Sequence, residues 1–230
     1  MNNKRLNVIN LHNADYKEVW DIQHSLRDQR IQHQIDDCLL LVTHPHVLTF
    51  GKRGKYENLL VSKEVLEQKG ISVFEIERGG DITYHGPGQL VIYPIIDLKN
   101  HDRDLRGFVE NLQNAVVKLL KDHFDICAHN EDGIHTGVWV GNDKIAAIGL
   151  SLSKWVTMHG MAFNINTDLS YFDFIVPCGL TDRGVTSISK LKGSPADFDF
   201  VTELFIQYFS NLLGCIPFNT DLENLNGTKT

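Results

Sequence analysis

The segment LVIYPIIDL (90–98) is apolar almost without interruption, and the twelve residues before it, RGGDITYHGPGQ (78–89), are glycine-rich and polar. A run of that length and composition predicts a buried strand, so the chain must supply layers to cover it. The residues on its other side, ISVFEIE (71–77), also read as a strand, and CLLLV (38–42) as another buried one. A glycine-rich stretch between two strands is either a plain turn or a place where backbone must approach something closely. This one carries Arg78, Thr83, Tyr84, His85 and Gln89 among its glycines. A pure turn does not need so many hydrogen-bonding side chains.

Helical periodicity alternates with these strands. Residues 14–31 place Val19, Trp20, Ile22, Leu26 and Ile31 at helical spacing. Ser62 is positioned to cap a short helix ending at Gly70, and 103–124 repeats Leu105, Phe108, Leu112, Val116 and Leu119. IHTGVWV, GND and KIAAIGLSL (134–152) read as strand, tight turn and strand, with 155–166 as a third strand. A last helix at about 197–213 carries Phe200, Leu204, Tyr208 and Leu212, the tail NGTKT reads as loose, and the final forty residues read as a small helical appendage. The expected fold class is α/β, an α+β mixed sheet with packed helices, in a single domain spanning 1–230.

The chain has 230 residues, 42% hydrophobic and 22% charged, enough to bury a core without staples. Its formal charge of −7 argues against bulk attraction to nucleic acid or anionic membrane. No stretch approaches the ~18 apolar residues of a membrane span, and the first residues lack the apolar run of a secretory signal. The four cysteines, Cys38, Cys127, Cys178 and Cys215, are irregularly spaced and form no C-x-x-C pair. A reducing cytoplasm fits them better than a disulfide framework.

Both nucleotide fingerprints are missing. G-x-x-x-x-G-K-[ST] does not occur, and Gly86-Pro87-Gly88 leads into a strand, where a dinucleotide site needs a helix. Neither His44-x-His46 nor the trio Cys127, His129 and His135 has a zinc-site spacing, so no metal is expected. Among the cysteines, Cys178 stands out as a candidate nucleophile, because it lies between Pro177 and Gly179 in a polar loop after an apolar run. A solvated hairpin lysine is the bland reading of Lys144, and a bulged loop that of 78–89.

Four segments together resemble the lipoyl(octanoyl) transferases, the lipoate-protein ligase B family: HPHVLTFGKRGKYENLL (44–60), RGGDITYHGPGQLVIYP (78–94), HTGVWVGNDKIAAIGLSLSKWVTMHGMAFNIN (135–166) and IVPCGLTDRGVTSI (175–188). They lie in order across roughly residues 40–190. The resemblance implies a fold like that of the biotin and lipoate ligases. It implies transfer of an octanoyl or lipoyl group from acyl carrier protein to a lysine of lipoyl domains, those of 2-oxoacid dehydrogenase complexes and the glycine-cleavage H protein. Cys178 matches the family's thioester-forming nucleophile and Lys144 its partner. The substrate-binding residues carried over are Arg78, Gly79, Gly80, Asp81, Ile82, Thr83, Tyr84 and His85, then Ala147, Ile148 and Gly149, then Gly160, Met161 and Ala162. No cofactor is implied, because the donor is already an activated thioester. A cytoplasmic monomer is expected, with Lys52, Arg53 and Lys55, or Arg103 and Arg106, as a basic face for an acidic carrier. The alternatives are an ATP-dependent lipoate or biotin ligase, a catalytically dead protein that binds the carrier, and a thiol hydrolase.

Overall fold

The structure, a computed structural model, describes residues 4–176 and 183–227. In chain order the elements are β1 (Lys4–Asn13), α1 (Tyr16–Ile31), β2 (Asp37–Thr43), β3 (Val47–Phe50), α2 (Lys63–Gln68), β4 (Ser72–Glu75), β5 (Ile82–His85) and β6 (Gln89–Ile95). There follow α3 (Leu105–Phe124), β7 (His129–Glu131), β8 (Gly137–Val140), β9 (Asp143–Ser153), β10 (Val156–Asn164), β11 (Gly184–Val185), α4 (Ile188–Lys192), α5 (Phe198–Leu213) and β12 (Cys215–Asn219). The large sheet runs β12-β1-β2-β6-β10-β9-β8-β7, with β11 paired to β9, and a small sheet runs β4-β3-β5. Both are mixed: β1 is parallel to β2 and β12, while β2, β6, β10 and β9 alternate antiparallel.

The continuous apolar character of β2 and β6 follows from their central place. One face of the large sheet carries Leu39, Leu41, Leu90 and Ile92 against α3 and α5, and the other carries Leu40, Val42, Val91 and Tyr93 against α1. Both faces are buried, so both parities must be apolar. A third cluster lies under the small sheet, where Leu48, Ile82 and Tyr84 meet Phe172 and Ile175.

Four expectations change on folding. The stretch 78–89 is not loop throughout, because Ile82–His85 form β5, antiparallel to β3. The inner stripe of α1 is Tyr16, Val19, Gln23, Leu26 and Arg30, with two polar residues where an apolar stripe reads through Trp20, Ile22 and Ile31. Each has a buried partner: Gln23 Oε1 accepts from the His159 N–H at 2.9 Å, and Arg30 Nε meets Asp37 Oδ1 at 2.7 Å. The C-terminal segment is no appendage, since α5 packs on α3 and β12 pairs with β1, an edge strand joined across almost the whole chain. Likewise, the core-facing residues of α5 are Val201, Leu204, Phe205, Phe209 and Leu213, whereas Phe200 is 46% exposed. Of the tail, Thr228–Thr230 lie outside the described residues. No helix among the described residues is long and apolar enough to cross a membrane.

Candidate functional site

A cavity of about 250 Å³ opens between the large sheet and the loop that leads into β5. Its sheet wall is bare because of the pairing of β9 and β10. Ala147 sits opposite Ala162 and Gly149 opposite Gly160, so four small residues fall together on one face. Val91 and Tyr93 of β6 continue that wall. At Gly149 an added Cβ would lie 2.7 Å from Gly79 O and 3.3 Å from Arg78 Cδ, so the loop rests directly on the strand. At Gly160 the obstacle is different: a Cβ there would meet Ile92 O at 2.0 Å, so β6 and β10 approach too closely for any side chain. Ile148 and Met161 also border the cavity, while packing with the core under α3 and α5.

Backbone and side-chain bonds fix the loop. Gly79 N–H donates to Leu150 O at 2.9 Å, and the N–H groups of Gly51, Lys52 and Arg53 donate to Asp81 O, Arg78 O and Gly80 O. Arg78 is buried, and its guanidinium bonds Thr49 O at 2.5 Å, Thr49 Oγ1 at 2.9 and 3.1 Å, and Gly79 O at 3.0 Å. These are the bonds of a loop-locking donor, since five guanidinium N–H groups can serve several carbonyls at once. Asp81 accepts from the N–H of Lys55 and of Ile82 and from the Asn58 amide, tying the loop to 51–58.

Of the residues singled out in the sequence, Lys144, Arg78, Gly79, Gly80, Asp81, Ile82, Thr83, His85, Ala147, Ile148, Gly149, Gly160, Met161 and Ala162 line the cavity. Tyr84 does not. In β5 successive side chains alternate, so Thr83 and His85 face the cavity while Tyr84 points into the core under the small sheet. There its hydroxyl meets His46 Nδ1 at 2.8 Å and its ring stacks on Tyr171. Gly86 and Gly88 of the same stretch stand outside the lining too. Cys178 lies outside the described residues.

His85 is fully buried and held neutral. Burial is the main cause and His44 adds to it, pushing its pKa down to about 3. Its Nδ1–H donates to Gln89 Oε1 at 2.8 Å, because the Gln89 amide already donates to Tyr84 O and Asn164 Oδ1. Behind it His44 is also neutral, lowered to about 4 by burial. Its Nδ1–H donates to Ala14 O and its Nε2 accepts from the Tyr93 hydroxyl at 2.9 Å. Glu77 sits between His24 and His159, at 3.1 and 3.5 Å. Burial raises its pKa, but the nearby His159, its own backbone N–H and the His24 imidazole outweigh that and hold it at about 2.

Sequence reasoning missed Tyr16, Tyr93 and His159 in the lining. Tyr16 comes from the first turn of α1, where nothing local marks it. His159 carried a faint sign, a histidine in a fully buried strand; it adopts φ +58, a strained value for a non-glycine residue in a strand. Of the other thiols, burial pushes Cys38 up to about 12 and Cys215 up to about 11, while Cys127 is exposed. Among the described residues no group of three or more His, Cys, Asp or Glu could hold a metal ion.

Residues 15–210 match the lipoyl protein ligase A/B catalytic domain. The chain belongs to that family. An octanoyltransferase of Caldicellulosiruptor saccharolyticus is 49% identical over 91% of this chain and 89% of its own length. Among solved structures, the bipartite lipoate protein ligase of Thermoplasma acidophilum superposes with a TM-score of 0.68 at 17% identity, over 98% of this chain and 89% of that one. The Aquifex aeolicus biotin protein ligase in complex with biotin and ATP does so with a TM-score of 0.55 at 17% identity, over 90% and 70%. At those identities the two ligases carry the fold alone, and they bear out the mixed-sheet architecture expected from the sequence.

Proposed function

We propose that this chain is an octanoyl-acyl carrier protein–protein octanoyltransferase that works through a Cys178 thioester. The observation that carries the reading is a lysine, Lys144, on the wall of a cavity where the facing pairs of β9 and β10 are stripped to glycine and alanine. Such a slot suits a linear acyl chain, and the 49% identity to an octanoyltransferase supports the choice of group. β11 pairs with β9 at Val185 and Lys144, which anchors the chain beside Lys144 a few residues after Cys178. That short tether supports pairing the two residues.

In the first half-reaction the Cys178 thiolate attacks the carrier thioester, and the carrier's sulfur leaves as a thiol by taking a proton from the Lys144 ammonium, which leaves Lys144 neutral. A neighbouring ammonium favours the thiolate. In the second, the amine of an acceptor lysine attacks the Cys178 thioester. An amide forms, the Cys178 thiolate is released and neutral Lys144 takes the amine's proton. The acceptors are lipoyl domains of 2-oxoacid dehydrogenase complexes and the glycine-cleavage H protein, and the enzyme acts as a cytoplasmic monomer. Arg53 borders the cavity and, with Lys52 and Lys55, offers a basic edge for an acidic carrier. Arg106 is less available, being engaged by Glu110 and Asp132.

The test is intact-protein mass spectrometry after mixing the chain with octanoyl-acyl carrier protein in the absence of ATP, with Cys178→Ala alongside. The expected result is one octanoyl adduct on the wild type only, lost on adding a lipoyl domain. Transfer that appears only with ATP and free octanoate would replace this reading with a ligase.

A further inference from the structure

Trp139, in β8, is only 1% exposed, and two cations share its ring. Lys144 Nζ lies 4.7 Å from the ring centroid and the Arg183 guanidinium carbon 4.6 Å from the same point. The indole is fixed in its plane, because its Nε1–H donates to His135 O at 3.0 Å. A bulge between Val138 and Trp139 shifts the β8–β9 register and sets Trp139 opposite Lys144. Bulges re-aim side chains in this way at functional sites. Two residues earlier on the same strand is Gly137, where an added Cβ would lie 3.4 Å from both Cδ and Cε of Lys144. The lysine stem therefore lies over a glycine and its ammonium over an indole.

Arg183 is held from its other side. Its Nη1 donates to Glu131 Oε2 at 2.6 Å, and Glu131 also meets His129 at 3.3 Å. The strand that Arg183 leads into, β11, pairs with β9 at Asp143 and Lys144. One ring thus touches both the lysine and the residue at the start of β11.

We infer that Trp139 is a positioning residue for Lys144. Its π-face holds the ammonium at the cavity wall, and the same ring registers β11 against β9 through Arg183. This rests on the assignment of Lys144 to acyl transfer made above. A lysine on a flexible four-carbon stem loses rate if it must search for its place, and an electron-rich indole restrains it without neutralising it. A tryptophan that only fills volume would respond to size. A cation platform responds to ring electron density at constant size.

The experiment uses a Trp20→Phe/Trp155→Phe background, which leaves Trp139 as the sole tryptophan of three. Mono-, di- and trifluorotryptophan are incorporated there. Octanoyl transfer from carrier protein to a lipoyl domain is measured together with the thermal midpoint. Trp139→Phe and Trp139→Leu are made in parallel. The expected result is a stepwise fall in kcat of about two- to threefold per fluorine, with KM and the midpoint unmoved. Phe should retain more activity than Leu. A flat fluorine series in an active transferase, or equal losses in Phe and Leu, would overturn the inference and leave the function standing. A wild-type chain that transfers nothing, or a Lys144→Ala variant that transfers at the full rate, would overturn the assignment of Lys144 and this inference with it.

Discussion

Gly149→Ala is the sharpest probe of how the cavity is built. The new Cβ would lie 2.7 Å from Gly79 O, against about 3.3 Å for an ordinary carbon–oxygen approach, so the loop must retreat by about 0.6 Å. Overpacking of this kind costs about 1–3 kcal/mol. Straining the Gly79 N–H to Leu150 O bond adds up to about 1 kcal/mol. Alanine restricts the unfolded chain and returns about 0.4–1 kcal/mol. The net loss is centred at about 2 kcal/mol, which for a chain of this size lowers the thermal midpoint by roughly 4–8 °C. The protein stays folded. Arg78 and Gly79 move with the loop, and misplacement on this scale lowers kcat/KM for an octanoyl thioester on the order of tenfold. Gly79→Ala is the milder comparison, because its Cβ would lie 3.3 Å from Leu150 O, a tight contact that asks for a shift of only a few tenths of an ångström. Calorimetry and a small-thioester transfer assay read both variants. A Gly149→Ala midpoint within about a degree of wild type, with undiminished transfer, would refute the packing of the loop on β9.

Two further outcomes follow from burial and charge. Alkylation of the native protein near neutral pH, mapped by mass spectrometry, should label Cys127 and spare Cys38 and Cys215, whose thiols burial holds at about 12 and 11; labelling of Cys38 without unfolding would contradict its placement. For Asp37, burial pushes the pKa up, but His101, Arg30 and the Asp97 N–H outweigh it and hold it below 3.8, while Glu77 is lowered from 4.5 to about 2. Both carboxylates therefore stabilise the fold fully above their unfolded values, and that contribution is lost as pH falls from about 4.5 towards 2. The thermal midpoint should decline over this window, and Asp37→Asn should flatten the decline; an equal slope in the variant would show that Asp37 is not coupled to folding.

The local signals in the sequence determined much. Apolar runs at 38–42 and 90–98, helical periods at 14–31 and 103–124, and the Gly141-Asn142 turn each map onto an observed element, because each depends on neighbours a few residues away. The glycines of the loop were legible as close approach. What they approach was not, since Leu150 O and Thr49 lie far along the chain. Tyr84 shows the same limit: its place away from the cavity depends on β5 pairing with β3, a long-range register that flips alternate side chains. The polar inner face of α1, the joining of β12 to β1 and the meeting of Lys144, Trp139 and Arg183 on one ring are likewise decisions of tertiary structure. Sequence sets which residues prefer strand or helix and which can be buried. Only the pairing of distant strands brings small residues together on one face and so makes the cavity.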